Sequence, residues 1–439
     1  LSTKAYFRLY TKDWGKRKKE KHNGFKSCRL RLLAKTHRTK ETNMLPSDCI
    51  AKLLDVEHLE VTNVEHSEKE ILLEVQMQRR FSECPRCQTL TDQIHDYRVQ
   101  RVKDCPMLGK WVVWLYRKRR YRCPCCGKRF YETNYLLPKR HRLTSRLAAQ
   151  CIVMLGIKQS RKDIALQLNV SPSTVGRWLH LRHYTKPTLL PEVLSIDEFK
   201  GDTEYGKFQC ILTSPQDKQI FDILPTRYSA QIYAYLQGFS NRNQARYFIM
   251  DMNREYLRIA KMLLPRATVV IDRFHVVRYC TWALENVRKR VQKALSKEER
   301  IYFKRSRKLL LSAMNKLSVQ NKAAVERMLL VSRDLREAYL LKELFYRFMA
   351  STDSAQARKR LQRFSLHARL AEIPEFAPCL TMLKNWQKYI LNAFDCSHSN
   401  GFTEGINNTI KVIKRIGYGY RSFHNFRARI LTTVNVKAG

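Results

Sequence analysis

Acidic residues are scarce in this chain. Only 39 Asp and Glu stand against 83 Lys and Arg in 439 residues, a formal charge of +44. A charge that large repels itself unless a polyanion neutralises it, so nucleic acid is the leading partner and a membrane surface the rival. Long apolar runs are lacking as well. No stretch reaches the roughly 18 apolar residues of a bilayer-spanning helix, and no charged-then-apolar secretory leader opens the chain. An intracellular, reducing setting is the expectation. In that setting the 13 Cys are expected to be thiols or metal ligands, not disulfides. Glycine is sparse too: none occurs between Gly238 and Gly401, and no G-x-x-x-x-G-K phosphate loop is present.

The first 43 residues carry 14 Lys and Arg against 3 Asp and Glu, and the first Met is Met44. Either this is a basic leader that grips phosphate, or Met44 is the natural start and the leader comes from a non-standard start codon or an upstream frame. The second reading is favoured. From Leu45 a short helical pattern and then the alternating runs at 59–64 and 71–75 predict a small α+β module. Cys84-Pro-Arg-Cys87 and Cys123-Pro-Cys-Cys126 flank a strand-rich spacer that includes Trp111-Val-Val-Trp-Leu-Tyr116. Two Cys-x-x-Cys pairs so separated predict a four-thiolate zinc finger on Cys84, Cys87, Cys123 and Cys126. Cys125 competes for the last ligand place, and Cys105 reads as a core residue. The module and finger together span 44–137.

Residues 141–183 read as a helix-turn-helix. A helical stretch at 160–168 is followed by the turn Asn169-Val-Ser171 and a second helix that begins with Ser171 as its cap and Pro172 at its first position. Ala165, Val170, Val175 and Leu179 are its expected core, and Ser173, Thr174 and Arg177 are expected to face the major groove.

Beyond the linker Lys186-Pro-Thr-Leu-Leu-Pro191, the pattern predicts strands at 193–197, 207–213 and 219–224, a helix at 229–238, a strand at 245–250, a helix at 254–264 and a strand at 267–271. That β-β-β-α-β-α-β order is the order of a ribonuclease H-like fold, here assigned to 193–439. An all-helical insertion over about 282–393 precedes the closing helix, and its basic faces at 288–290 and 304–308 are candidates to line DNA. The expected fold class is therefore multidomain α+β: a zinc-binding domain, a helix-turn-helix and a ribonuclease H-like α/β domain. Asp197 and Asp251 each end an apolar run, and Glu404 opens a predicted helix that Asn400 or Thr403 can cap. Three converging acids in so basic a chain suggest a divalent-metal site acting on phosphodiesters, with Mg²⁺ (or Mn²⁺) as the ion.

Taken together, the two Cys pairs, the helix-turn-helix, Ser195-Ile-Asp-Glu-Phe199, Asp251-Met, Asp272-Arg-Phe-His275, Thr403-Glu-Gly-Ile-Asn-Asn408 and Gly417-Tyr-Gly-Tyr-Arg-Ser-Phe423 resemble the DDE transposases of the ISL-three insertion-sequence family. The resemblance runs from about residue 84 to the C-terminus. It implies a bacterial mobile-element enzyme that binds terminal inverted repeats, cuts DNA and joins the ends to a target, with Asp197, Asp251 and Glu404 as the metal-binding acids. Asp272 and His275 resemble an accessory signature after the fifth strand, and Asp272 is the rival of Asp251 for the second place. A homo-oligomer on double-stranded DNA, cytoplasmic and nucleoid-associated when bound, is expected with it. A decayed DNA-binding regulator and a basic RNA-binding or structural nucleoprotein are the alternatives from other classes.

Overall fold

The computed structural model describes Leu54 and residues 56–137, 141–180, 184–304 and 306–435. The basic leader and the start of the helical pattern after Leu45 lie outside these residues. The described chain divides into two compact units, one up to His180 joined by the residues from Thr432, the other from Tyr184 to Leu431.

In the first unit, strands β1 (Leu59–His66) and β2 (Glu70–Met77) pair antiparallel. After the two short strands β3 (Ser82–Glu83) and β4 (Leu90–Thr91), β5 (Ile94–Met107) and β6 (Lys110–Arg122) form a long hairpin. Its tight turn holds Leu108 and Gly109 at positive φ, as a two-residue turn matched to strand twist requires. β6 lies parallel to β2 and also pairs with β7 (Arg129–Tyr131). The alternation in β2 puts Leu73, Val75 and Met77 inward against Val102, Trp114 and Tyr116, forming the core of this sheet. Three helices follow: α1 (Ser145–Gly156), α2 (Arg161–Gln167) and α3 (Pro172–Leu179), capped by Thr144, Ser160 and Ser171.

The second unit is built on β8 (Val193–Thr203), β9 (Gly206–Ser214), β10 (Gln219–Leu224), β11 (Tyr247–Met250) and β12 (Thr268–Ile271). Their order in the sheet is β10-β9-β8-β11-β12, the first three antiparallel and the last two parallel to β8, which is the ribonuclease H-like arrangement. Helix α4 (Ser229–Gln237) precedes β11, and α5 (Arg254–Leu263) joins it to β12. Both faces of the parallel pair are covered, so its strands are continuously apolar. Phe248 and Met250 join the main core, while Ile249 and Val270 pack with Ala393 in a second cluster.

Helix α6 (Arg273–Lys293) starts directly after β12, earlier than the expected boundary near Trp282, because Asp272 accepts a hydrogen bond from the Phe274 N–H and caps it. Helices α7 (Lys297–Lys304), α8 (Arg307–Leu311), α9 (Val319–Leu330), α10 (Arg333–Met349), α11 (Ser354–Leu370) and α12 (Ala377–Asp395) continue the all-helical stretch. Its interior is aromatic, with Phe345 packed edge-on against Phe364 at 5.1 Å. The basic face expected at 288–290 is largely neutralised: Arg288 is buried against Glu285, and Arg290 pairs with Asp334 and Glu375. The chain closes with α13 (Gly401–Ile416) and α14 (Phe423–Asn435).

Candidate functional site

Asp197, Asp251 and His275 meet at one edge of the second unit's sheet, each offering a ligand atom within 4.8 Å of the others. Asp251 follows the last residue of β11. Asp197 does not end its strand as the sequence pattern suggests. β8 continues to Thr203, with Asp197 paired opposite Ile211 on β9, but its pairing with β11 stops at Ser195. Asp197 therefore lies just past the end of its parallel neighbour, where a side chain can turn toward Asp251. His275 sits in the first turn of α6, and its Nε2 is 3.2 Å from Asp251 Oδ2 and 4.0 Å from Asp272 Oδ2.

Burial, followed by the charge of Asp251, pushes the Asp197 carboxyl up to about 7. Burial, then Asp272 and Glu198, pushes Asp251 up to about 7 as well. Asp251 Oδ1 and Asn407 Oδ1 are buried oxygens with no hydrogen-bond partner among the described residues. Two carboxylates that resist ionisation, one of them with an orphaned oxygen, beside the orphaned Asn407 oxygen fit a divalent cation with oxygen ligands.

The closing helix reaches the site through polar contacts inside the core. Ser195 donates to Asn400 Oδ1 at 2.6 Å, Thr403 and Thr213 share a hydroxyl contact at 2.7 Å, and the Asn400 amide donates to Asp272 Oδ2 at 3.3 Å. One turn further along α13, the Asn407 amide donates to Asp197 Oδ2 at 2.7 Å. Neither Asn400 nor Thr403 caps the helix through its side chain, contrary to the expected roles; strands β8 and β9 and the Asp272 carboxylate take those groups instead. Glu404 is exposed in the first turn of α13 and is not in the Asp197–Asp251–His275 cluster. Asp272 uses its two oxygens for the Phe274 N–H and the Asn400 amide. Asn407 is a part of the site that pattern reading names only within the Thr403–Asn408 motif, and Asn400, read as a helix cap, serves instead to bind Asp272 and Ser195.

In the first unit, Cys84, Cys87, Cys123 and Cys126 form a second cluster. Their sulfurs lie 3.4 to 3.6 Å apart in the recorded pairs, close to the about 3.8 Å edge of a tetrahedron with metal–sulfur bonds of about 2.3 Å. Each Cys pair is held by the same turn: Gln88 N–H bonds Cys84 O, and Gly127 N–H bonds Cys123 O. Gln88 and Gly127 both take positive φ, which only Gly127 does without strain. Hydrogen bonds from the Thr89 hydroxyl and backbone hold the Cys87 thiol down to about 6, toward the thiolate that binds metal. Cys125 is exposed and outside the cluster, so Cys126 takes the fourth place; Cys105 is also outside it.

In the helix-turn-helix, Ala165, Val175 and Leu179 are buried and Val170 is half-buried. Asn169 takes positive φ in the turn and receives a hydrogen bond from Lys103 Nζ at its carbonyl. Ser173 and Arg177 are exposed. Thr174, expected to face outward, is buried: it lies on the same face of α3 as Val175 and Trp178, and its hydroxyl bonds the Ser171 hydroxyl and the Arg177 guanidinium.

The described residues contain no helix long and apolar enough to cross a membrane. A family model described as transposase matches residues 194–430. A model for the zinc-finger of transposase IS204/IS1001/IS1096/IS1165 matches residues 80–126, and a model for the helix-turn-helix domain of transposase family ISL3 matches 133–183. The chain is 29% identical over 371 residues to a transposase for insertion sequence element IS1001 from Bordetella parapertussis, covering 79% of this chain and 87% of that one. A segment of 54 residues is 52% identical to part of a protein named ATP-dependent protease from Lactococcus lactis subsp. lactis, which is 12% of this chain and 17% of that protein, too little to bear on the rest of either. With the acid cluster, the Cys cluster and the helix-turn-helix each inside a matched region, the chain belongs to the ISL3 family of insertion-sequence transposases.

Proposed function

We propose that this transposase binds terminal inverted repeats, cuts them with divalent metal held at Asp197, Asp251 and Glu404, and joins the freed ends to target DNA. The observation that carries the reading is the meeting of Asp197 and Asp251, both resisting ionisation, beside a buried oxygen with no partner. Bound there, Mg²⁺ or Mn²⁺ would supply activation of a water or 3′-hydroxyl and stabilisation of the leaving oxygen. The chain's own groups set the geometry. The Asn407 amide fixes one oxygen of Asp197, His275 fixes one oxygen of Asp251, and Asn400 ties Asp272 to the start of the closing helix. Glu404 precedes Asn407 by one turn on the same helix, which is within neighbour distance on a helix surface.

A second reading has His275 as the third metal ligand, favoured by its place inside the cluster that leaves out Glu404. Metal-dependent nicking of DNA carrying the element's own ends tests both. Asp197→Asn and Asp251→Asn should abolish nicking while end binding persists. Loss with Glu404→Gln but only partial loss with His275→Gln supports the first assignment, and the opposite pattern supports the second. Wild-type protein that binds ends but never nicks would make it a decayed regulator.

Recognition belongs in this reading to the helix-turn-helix over 141–183, with Ser173 and Arg177 reading base edges, while the zinc finger within 44–137 and the basic leader over 1–43 add phosphate contacts. Zinc is assigned to the four clustered thiols and catalysis to 193–439. Assembly as a homo-oligomer on DNA, within the nucleoid, completes the proposal.

A further inference from the structure

Helix α5 begins three residues after Asp251, and its exposed flank leads away from the acids. Between α5 and α12 lies a groove of about 640 Å³ whose lining includes Arg254, Leu257, Arg258, Lys261, Met262 and Trp386. Arg254, Arg258 and Lys261 recur at steps of four and three residues, so they form one stripe with rises of roughly 6 and 5 Å. All three are exposed, and among the described residues none is in an ion pair; Lys261 stands only over the Tyr389 ring, 6.0 Å from its centroid. The rest of the lining is mixed: Met262 is 56% exposed, Asn385 adds an exposed amide, and Trp386 is 8% exposed, so only an edge of its ring is accessible.

A cationic rim over a floor of exposed thioether and one accessible indole edge matches the two faces of a nucleic-acid strand with unpaired bases. A duplex would put its phosphates on the rim and leave the floor without a partner, whereas an unpaired strand can lay a base against it. We propose that this groove binds single-stranded DNA next to the acid site, with phosphates on Arg254, Arg258 and Lys261 and a base against Met262 and Trp386. The proposal rests on the reading that Asp197 and Asp251 act on DNA strands, and it assigns the path that one strand takes to or from them.

The test uses the full chain in EDTA, so that no cleavage intervenes, and follows the fluorescence anisotropy of a labelled oligothymidylate with excess unlabelled random duplex present. Arg258→Glu combined with Lys261→Glu should weaken oligothymidylate binding by roughly tenfold or more and lower the salt slope by about 1.4, two phosphates at about 0.7 each. Affinity for labelled duplex should stay within about twofold. Both positions are exposed, and an unchanged melting temperature checks that the fold is kept. Unchanged oligothymidylate affinity overturns the proposal, and equal loss toward duplex and single strand overturns it in favour of a general duplex surface. Asp197→Asn should leave oligothymidylate binding intact while abolishing nicking in Mg²⁺. If that variant nicks normally, the catalytic reading fails independently of the groove.

Discussion

Asp197 and Asp251 sit together without a counter-charge strong enough to keep both ionised, and this sets a pH dependence that can be measured. Both carboxyls are raised from 3.8 to about 7 in the fold, so between about pH 4 and pH 7 the folded chain holds protons that the unfolded chain has lost. Stability of the metal-free protein must then be greatest at the acid end of that window and fall as pH rises through it. Because Asp251 is itself a leading cause of the Asp197 shift, the two do not simply add; one carboxyl raised that far corresponds to roughly 4 kcal/mol, and the loss for the pair is at least of that order. Melting in EDTA at both ends of the window should show this fall in the wild type and a shallower one in Asp197→Asn, which keeps the Asp251 part. Divalent metal should restore the wild type at the upper end. An Asp197→Asn variant with the wild-type slope would place the origin of the effect elsewhere.

At the scale of elements, the cap of α3 and the core of the helix-turn-helix were legible, whereas the cap of α13 and the burial of Thr174 were not. Ser171 and Pro172 announced α3, and β9, β10, α4, β11, α5 and β12 fall where periodicity places them. Three features were hidden. The run ending at Asp197 looks like a whole strand, since nothing local reveals that β9 supports β8 for six residues more. Thr174 looks like a surface position by residue type, but it shares the buried face of α3 with Val175 and Trp178. His275 was visible as a D-x-x-H spacing, yet its pairing with Asp251 depends on β11 and β12 lying side by side, which is a fact of topology. These corrections change what α3 should do. Ser171→Ala removes the cap and should cost about 1 kcal/mol in stability. Arg177→Ala should lower discrimination for cognate ends by roughly 1–3 kcal/mol if the guanidinium pairs with a guanine edge. Competition binding between cognate and random duplex separates the outcomes, since an equal loss on both would make Arg177 a phosphate contact.

Across the whole molecule, each unit has its own core, and the two cores differ greatly in size. The second unit buries a large aliphatic and aromatic cluster running from Leu190 to Phe394. The sheet core of the first unit is a much smaller set centred on Trp114 and Tyr116. Residues near Cys84 and Cys123 have little apolar material of their own: β3, β4 and β7 are two or three residues long, and Phe81 and Leu90 face solvent. A region with so little to bury is expected to take its order from metal ligation, since structural zinc contributes its binding energy directly to folding. Chelation of the full chain should therefore strip protection from amide exchange at residues 82–91 and 121–131 first. The β8–β12 sheet, which holds no thiolate of the cluster, should keep its protection under the same treatment. Elemental analysis should give about one zinc per chain before chelation. Cys126→Ser should reproduce the loss without a chelator, while Cys125→Ser should leave exchange unchanged, because the exposed Cys125 thiol lies outside the cluster. Equal protection of 82–91 with and without zinc would mean that the short strands hold themselves, and the four thiols would then need another explanation.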